Sequence, residues 1–234
     1  MARKESFDKN LIQDIPLSKE PSGSGGNFSA KISWFSGKAF GVIKFILGLV
    51  FLPFVFSTTV SFLNEFRAVD GHLQGVFWAG VISFLLVYLF IWEPAPVYSR
   101  GHKLLEVVFR FFKPMVNVAP FLLPMYTILI FIIYGLLQFP IKSARLLECA
   151  MFLIGFSAIL HLVFSAKSIR NKKGDFLKGN YIFGFSFIFI LNLALFALGF
   201  SLIFKEFSFV NFCNVSFGIA GRIFYAVFKQ LFLF

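Results

Sequence analysis

Long apolar runs separated by short charged breaks dominate the chain. Twenty uncharged residues, Phe45 to Asn64, lie between Lys44 and Glu65. At about 1.5 Å per residue they make one membrane-spanning helix. Pro53 is expected to kink it without excluding it, because neighbouring helices in a bilayer re-satisfy the freed backbone. Leu73–Trp92 is a second run, closed by the interfacial aromatics Tyr88 and Trp92. Val118–Gln138, Cys149–Ala166 and Tyr181–Phe204 are three more. The last of these is interrupted by a single amide, Asn192.

Two segments depart from this pattern. Between residues 93 and 117, Pro94 and Pro96 stop the preceding helix. From Val97 to Phe112, Leu104, Leu105, Val107, Val108, Phe111 and Phe112 recur at helical spacing among charged residues. This is an amphipathic helix, too charged to cross lipid unshielded. The C-terminal Phe207–Phe234 is apolar but broken by Asn211, Asn214, Arg222 and Lys229. A sixth span, a re-entrant pair and a surface helix all fit it.

The expected fold is therefore all-α: a polytopic helical membrane protein with five to six spanning helices and one interfacial or re-entrant amphipathic helix. Residues 1–44 read as a polar, flexible arm, with the linker composition Pro21-Ser22-Gly23-Ser24-Gly25-Gly26 and an interfacial start to the first helix over 32–40. No secretory signal pattern is expected there. Residues 45–206 form the helical membrane domain, and 207–234 an apolar C-terminal segment.

Composition agrees. Of 234 residues, 58% are hydrophobic and 14% charged, and 38 are Phe, well outside the balance of a soluble domain. Cys149 and Cys213 stand alone in apolar stretches and build no disulfide framework. The net charge of +11 is not arranged as a nucleic-acid surface; the cations flank membrane segments and face lipid headgroups. Residues 1–44 carry seven Lys/Arg, 93–117 four and 167–180 five, sixteen of the 22 in the chain. If the 97–112 helix does not cross, all sixteen share one side. The positive-inside rule makes that side cytoplasmic, with the N-terminus on it.

Ionisable groups near membrane depth are functional candidates. Here they are His102, Glu106, Glu148, His161 and Asp175, together with the amide of Asn192. His102 and Glu106 stand at i and i+4 on one helical face, and both types ligate zinc. The competing reading pairs Glu106 with Lys103 or Arg110 on a wet face. For His161, the competing reading is a histidine satisfied by helix packing.

Several short motifs, in order, resemble a bacterial family of polytopic metallopeptidase-like proteins related to the site-2 proteases. They are Lys44-Phe45-Ile46-Leu47-Gly48-Leu49, Leu52-Pro53-Phe54-Val55, Ser61-Phe62, Trp92-Glu93-Pro94, Tyr98, Gly101-His102, Ala119-Pro120-Phe121, Pro124-Met125-Tyr126-Thr127, Gly155-Phe156, His161-Leu162 and Gly174-Asp175-Phe176. They cover most of residues 44–200. The resemblance implies an intramembrane zinc protease. In that family a tyrosine and two residues precede Gly-His-Glu-x-x-His, whose two His bind zinc and whose Glu activates the metal-bound water.

The same five positions here read His102-Lys103-Leu104-Leu105-Glu106. The first ligand is kept. Lys103 occupies the general-base position, where an ammonium accepts no proton. Glu106 replaces the second His. The resemblance implies that His161 and Asp175 are retained positions, which with His102 and Glu106 are the metal candidates. Residues 107–118 leave little room for the Gly-rich strand that related proteins carry. Losing a general base removes a factor of about 10²–10⁴ in rate. The expectation is thus a catalytically lapsed relative that needs no cofactor and binds the bilayer and a transmembrane protein segment. The alternatives are an active metalloprotease with a His/Glu zinc site, and a membrane scaffold or small-solute protein.

Overall fold

The computed structural model describes residues 25–91, 93–110, 119–140, 143–171 and 181–232, with the backbone alone over 25–40 and at 170–171. Contacts divide the chain into Met1–Phe40 and Gly41–Phe234. In the first unit the described residues are helical backbone. They belong to α1 (Gly25–Phe66), which begins earlier than the interfacial start expected at 32. The linker composition ends at Gly26, and no proline follows before Pro53. The polar arm through residue 24 lies outside the described residues.

The second unit is built of helices, with no strand among the described residues. After α1 come α2 (Gly71–Leu86), which widens into a π turn over Val87–Ile91, and α3 (Ala95–Val108). Then follow α4 (Ala119–Leu122), α5 (Met125–Leu137), α6 (Ala144–Asn171), α7 (Tyr181–Ile203) and α8 (Phe209–Phe232). Five helical stretches are long and apolar enough to cross a membrane: Gly41–Phe66, Gly71–Ile91, Ala144–Ile169, Tyr181–Ile203 and Phe209–Phe232. The chain is a polytopic helical membrane protein. Its C-terminal apolar segment is one uninterrupted helix, not a re-entrant pair.

Side-chain contacts fix the helix directions. His72 reaches Glu148 at 3.3 Å, Phe84 packs on Phe156, Tyr88 on Phe164, and Glu93 pairs with Lys167. Thus α2 and α6 run parallel. Two parallel spans need a return between them, and α4 and α5 supply it in two pieces: the run expected as one span over Val118–Gln138 is broken at Pro124, which has no N–H to continue the helix, and neither piece is of span length. Ser165 Oγ approaches the Phe121 carbonyl and Thr127 bonds Ser157, so the broken pair runs antiparallel to α6. It runs parallel to α7, since Asn192 bonds the Leu122 carbonyl and Phe131 covers Gly199.

α1 is also parallel to α7: Phe51 stacks on Phe183 and Phe62 meets Phe200. α8 runs back along α1. Ser208 N–H donates to Glu65 at one end, while Phe54 packs on Phe217 and Phe224 further along. Each crossing reverses the one before. The Gly41 end of α1, α3, the end of α6, the start of α7 and the end of α8 therefore lie at one face.

The core is largely aromatic. Phe62, Phe66, Phe77, Phe200 and Phe207 form a buried cluster with centroid separations of 5.1–5.9 Å. Lipid is as apolar as these rings, so helix association rests on close packing rather than water exclusion. Aromatic pairs at such distances contribute about 0.5–1.5 kcal/mol each.

Candidate functional site

The site is built on α3, at the face where α2 and α6 end. Pro94 and Pro96 flank its first residue, where missing N–H groups cost no helical hydrogen bond. Three sectors run along α3. Gly101 and Leu105 are buried inward. Leu104, Val107 and Val108 are exposed and apolar. Ser99, His102, Lys103 and Glu106 lie between, along the polar side.

Tyr126 of α5 holds α3 in place. Its hydroxyl donates to the Val97 carbonyl at 2.6 Å. Its ring lies so close to Gly101 that a Cβ there would sit 2.8 Å from Cε2. The glycine before His102 is thus a packing requirement.

His102 Nδ1 lies 3.1 Å from Glu106 Oε1 across one helical turn. The imidazole is largely buried, packed edge-on against Phe121 at 4.9 Å and beside Tyr98 at 6.0 Å. The carboxylate is exposed. The expected i, i+4 facing is present, and the partner of Glu106 is His102 rather than Lys103 or Arg110.

His161 also lies beside Tyr98, with ring centroids 6.1 Å apart. It lines, with His102, Tyr98 and Tyr126, a small, partly open space of about 10 Å³, room for about one water. Ser165 Oγ joins the parts: it stands 3.2 Å from His161 Nε2, 3.3 Å from the Tyr98 hydroxyl and 3.3 Å from the Phe121 carbonyl. Burial pushes the Tyr98 phenol above its ordinary value of 10.0, outweighing the lowering by Ser165.

Of the four sequence-predicted ligands, His102 and Glu106 touch, and His161 is close by but turned to Ser165. Asp175 lies outside the described residues. Among the described residues no group of three or more His, Cys, Asp or Glu side chains is placed to hold a metal ion. A zinc site uses three protein ligands with an open fourth position. The described residues offer a pair, so they do not by themselves fit zinc.

Over the polar side of α3 opens a cleft of about 460 Å³, reaching Glu93, Lys103 and Lys167. Lys103 makes no hydrogen bond or ion pair among the described residues. Glu93 and Lys167 tie α2 to α6 at its edge. Sequence reasoning missed Ser165 and this ion pair. The hydroxyls were findable: Ser157, His161 and Ser165 recur every four residues, a polar stripe on an apolar helix.

Asn192 is fully buried in α7. Its Nδ2 donates to the Leu122 and Ile188 carbonyls at 3.2 and 2.8 Å. That makes it a support for the α4–α5 break. Glu148 lies at the opposite face, where it meets His72.

No family model, curated protein or solved structure matches the chain.

Proposed function

We propose that this integral membrane protein is a relative of the site-2-type intramembrane peptidases in which hydrolysis has lapsed and the interfacial site is kept for binding a transmembrane protein segment. The observation that carries this reading is the pairing of His102 with Glu106 beside a Lys103 that has no partner among the described residues. A carboxylate hydrogen-bonded to the first histidine, with an ammonium where the base belongs, is a poor arrangement for activating water. The cation also raises the cost of holding Zn²⁺ nearby. The partner segment would lie along the exposed apolar strip Leu104, Val107 and Val108.

The setting we propose is a bacterial inner membrane with the α3 face cytoplasmic. Lys44, Arg100, Lys103, Arg110 and Lys167 lie toward that face, against Glu93 and Glu106. The opposite ends carry Arg67, Arg145 and Lys205 against Glu65, Asp70, Glu148 and Glu206. That asymmetry follows the positive-inside rule.

The test is zinc analysis of the purified chain together with cleavage of a synthetic transmembrane substrate in added zinc. We expect substoichiometric zinc and no cleavage. Cleavage that disappears in both His102→Ala and Glu106→Ala would establish an active metalloprotease instead.

A further inference from the structure

We infer that the cleft over α3 is a binding site for the headgroup of a phospholipid bearing a primary amine, with Lys103 on the phosphate and Glu106 and Glu93 on the ammonium. The inference rests on the membrane-spanning fold and the cleft, not on the resemblance to peptidases, so it stands or falls separately from the reading above.

The first argument is charge. The cleft is lined by two ammonium groups, Lys103 and Lys167, and two carboxylates, Glu93 and Glu106. Their formal charges sum to zero: Lys167 is met by Glu93, while Lys103 and Glu106 are not paired with each other. An anionic headgroup would meet the carboxylates, and a purely cationic one the lysines. A zwitterion of zero net charge meets both signs favourably.

The second argument is free valence. Lys103 is unpaired among the described residues. Glu106 is engaged through Oε1 by His102, and Glu93 through Oε1 by Lys167. Among the described residues the second oxygen of each carboxylate is left to accept from a ligand ammonium. A primary ammonium donates three such bonds and a quaternary one donates none. Quaternary ammonium is recognised by aromatic cages, whereas the phenyl and phenol rings lining this cleft, Phe164 and Tyr98, stack on each other at 5.3 Å rather than facing one another across a ligand.

The third argument is place. The volume of about 460 Å³ lies within the range of small-ligand sites. The cleft opens at the end of two spanning helices, the depth of lipid headgroups. Along the chain its lining residues are bordered by exposed apolar side chains: Leu89, Phe90 and Ile91 precede Glu93, and Leu104 and Val107 follow Lys103 on α3. A headgroup in the cleft would leave its acyl chains along these side chains. Soluble phosphoethanolamine shares the polar chemistry but gains nothing from the rim.

The full chain, stripped of lipid in detergent, can be titrated in native mass spectrometry with phosphatidylethanolamine, phosphatidylcholine and phosphatidylglycerol of matched acyl chains, and with free phosphoethanolamine. We expect one phosphatidylethanolamine held about tenfold more tightly than the other three, the scale of one charge-assisted hydrogen bond. Lys103→Ala and Glu106→Gln, both exposed, should each weaken it by about tenfold. Arg145→Ala at the opposite face should bind as the unaltered chain does. Equal or tighter binding of phosphatidylglycerol or phosphatidylcholine would overturn the inference. So would equal binding of free phosphoethanolamine, or undiminished binding by both cleft variants.

Discussion

Gly80 of α2 backs onto the carbonyl oxygen of Phe152 in α6: a Cβ on Gly80 would lie 2.1 Å from that oxygen. The relation is reciprocal, since a Cβ on Gly155 would lie 2.2 Å from the carbonyl oxygen of Phe77. The obstacle is backbone in both cases, and no rotamer change relieves it. Close approach of small residues is how parallel spans associate when lipid competes for apolar contact. The hydrogen bond His72–Glu148 at one end and the ion pair Glu93–Lys167 at the other then hold helices already docked at their middle.

Gly80→Leu and Gly155→Leu should therefore separate α2 from α6. Overpacking costs about 1–3 kcal/mol, read as a lower thermal midpoint in detergent. Gly75→Ala, where nothing lies within 4 Å, should leave the midpoint unchanged or raise it. Equal effects at positions 75 and 80 would refute the crossing.

Four of the five span-length helices and the amphipathic helix were legible because lipid imposes them locally, whereas the expected span Val118–Gln138 is two shorter helices broken at Pro124. Twenty uncharged residues before Glu65, or a run of charges at helical spacing after Pro94, identify an element without reference to its neighbours. The pairing of elements was not legible. Glu93 and Lys167 are exposed and 74 positions apart, and no local pattern predicts that they meet. The site was half visible. His102 and Glu106 share a face by helical geometry alone. That Ser165 would bind His161 while Tyr98 packed beside both histidines depends on how α3 docks on α6, and it surfaces in sequence only as the Ser157, His161, Ser165 spacing. The C-terminal segment was ambiguous because Arg222 and Lys229 fall in an otherwise apolar run. Its helix is continuous because no proline interrupts 209–232.

The break between α4 and α5 offers a second prediction. Pro124 has no N–H to give the Pro120 carbonyl. The neighbouring Phe121 and Leu122 carbonyls are met by Ser165 Oγ and Asn192 Nδ2 at 3.3 and 3.2 Å. Ser165→Ala and Asn192→Leu should each destabilise the fold by about 0.6–1.7 kcal/mol, the scale of polar contacts between spans. Asn192→Leu also removes a buried, unpartnered Oδ1, so its cost should fall at the lower end. Unchanged thermal midpoints in both variants would show that the broken helix needs no side-chain support.

Topology gives a third prediction. Arg110 follows α3, and Lys205 lies in the turn between α7 and α8; both are exposed. With Cys149 and Cys213 replaced by Ser, Arg110→Cys and Lys205→Cys should react with an impermeant maleimide from opposite sides of sealed vesicles. Labelling from the same side would mean that α4 and α5 do not return the chain across the bilayer.

The last prediction concerns Tyr98, which joins the two histidines. Its hydroxyl reaches Ser165 at 3.3 Å, and its ring stacks on Phe164 at 5.3 Å. Burial disfavours the phenolate, so its pKa in the folded chain lies above 10.0. The sign follows by linkage. Where the folded pKa is raised, the stability carried by the neutral phenol is fully present below the unfolded value. It is lost as pH rises from about 10 through the folded value, because the unfolded chain releases its proton first. In an absorbance titration of the phenolates, the difference between the unaltered chain and Tyr98→Phe should isolate one tyrosine that ionises late. Tyr98→Phe should also lose less stability than the unaltered chain between pH 10 and 11. At pH 7 the variant gives up the Ser165 contact, a cost of about 0.5–1.5 kcal/mol. A Tyr98 that titrates at or below 10 would mean that water reaches its hydroxyl freely, and the burial of Tyr98 beside His102 and His161 would have to be abandoned.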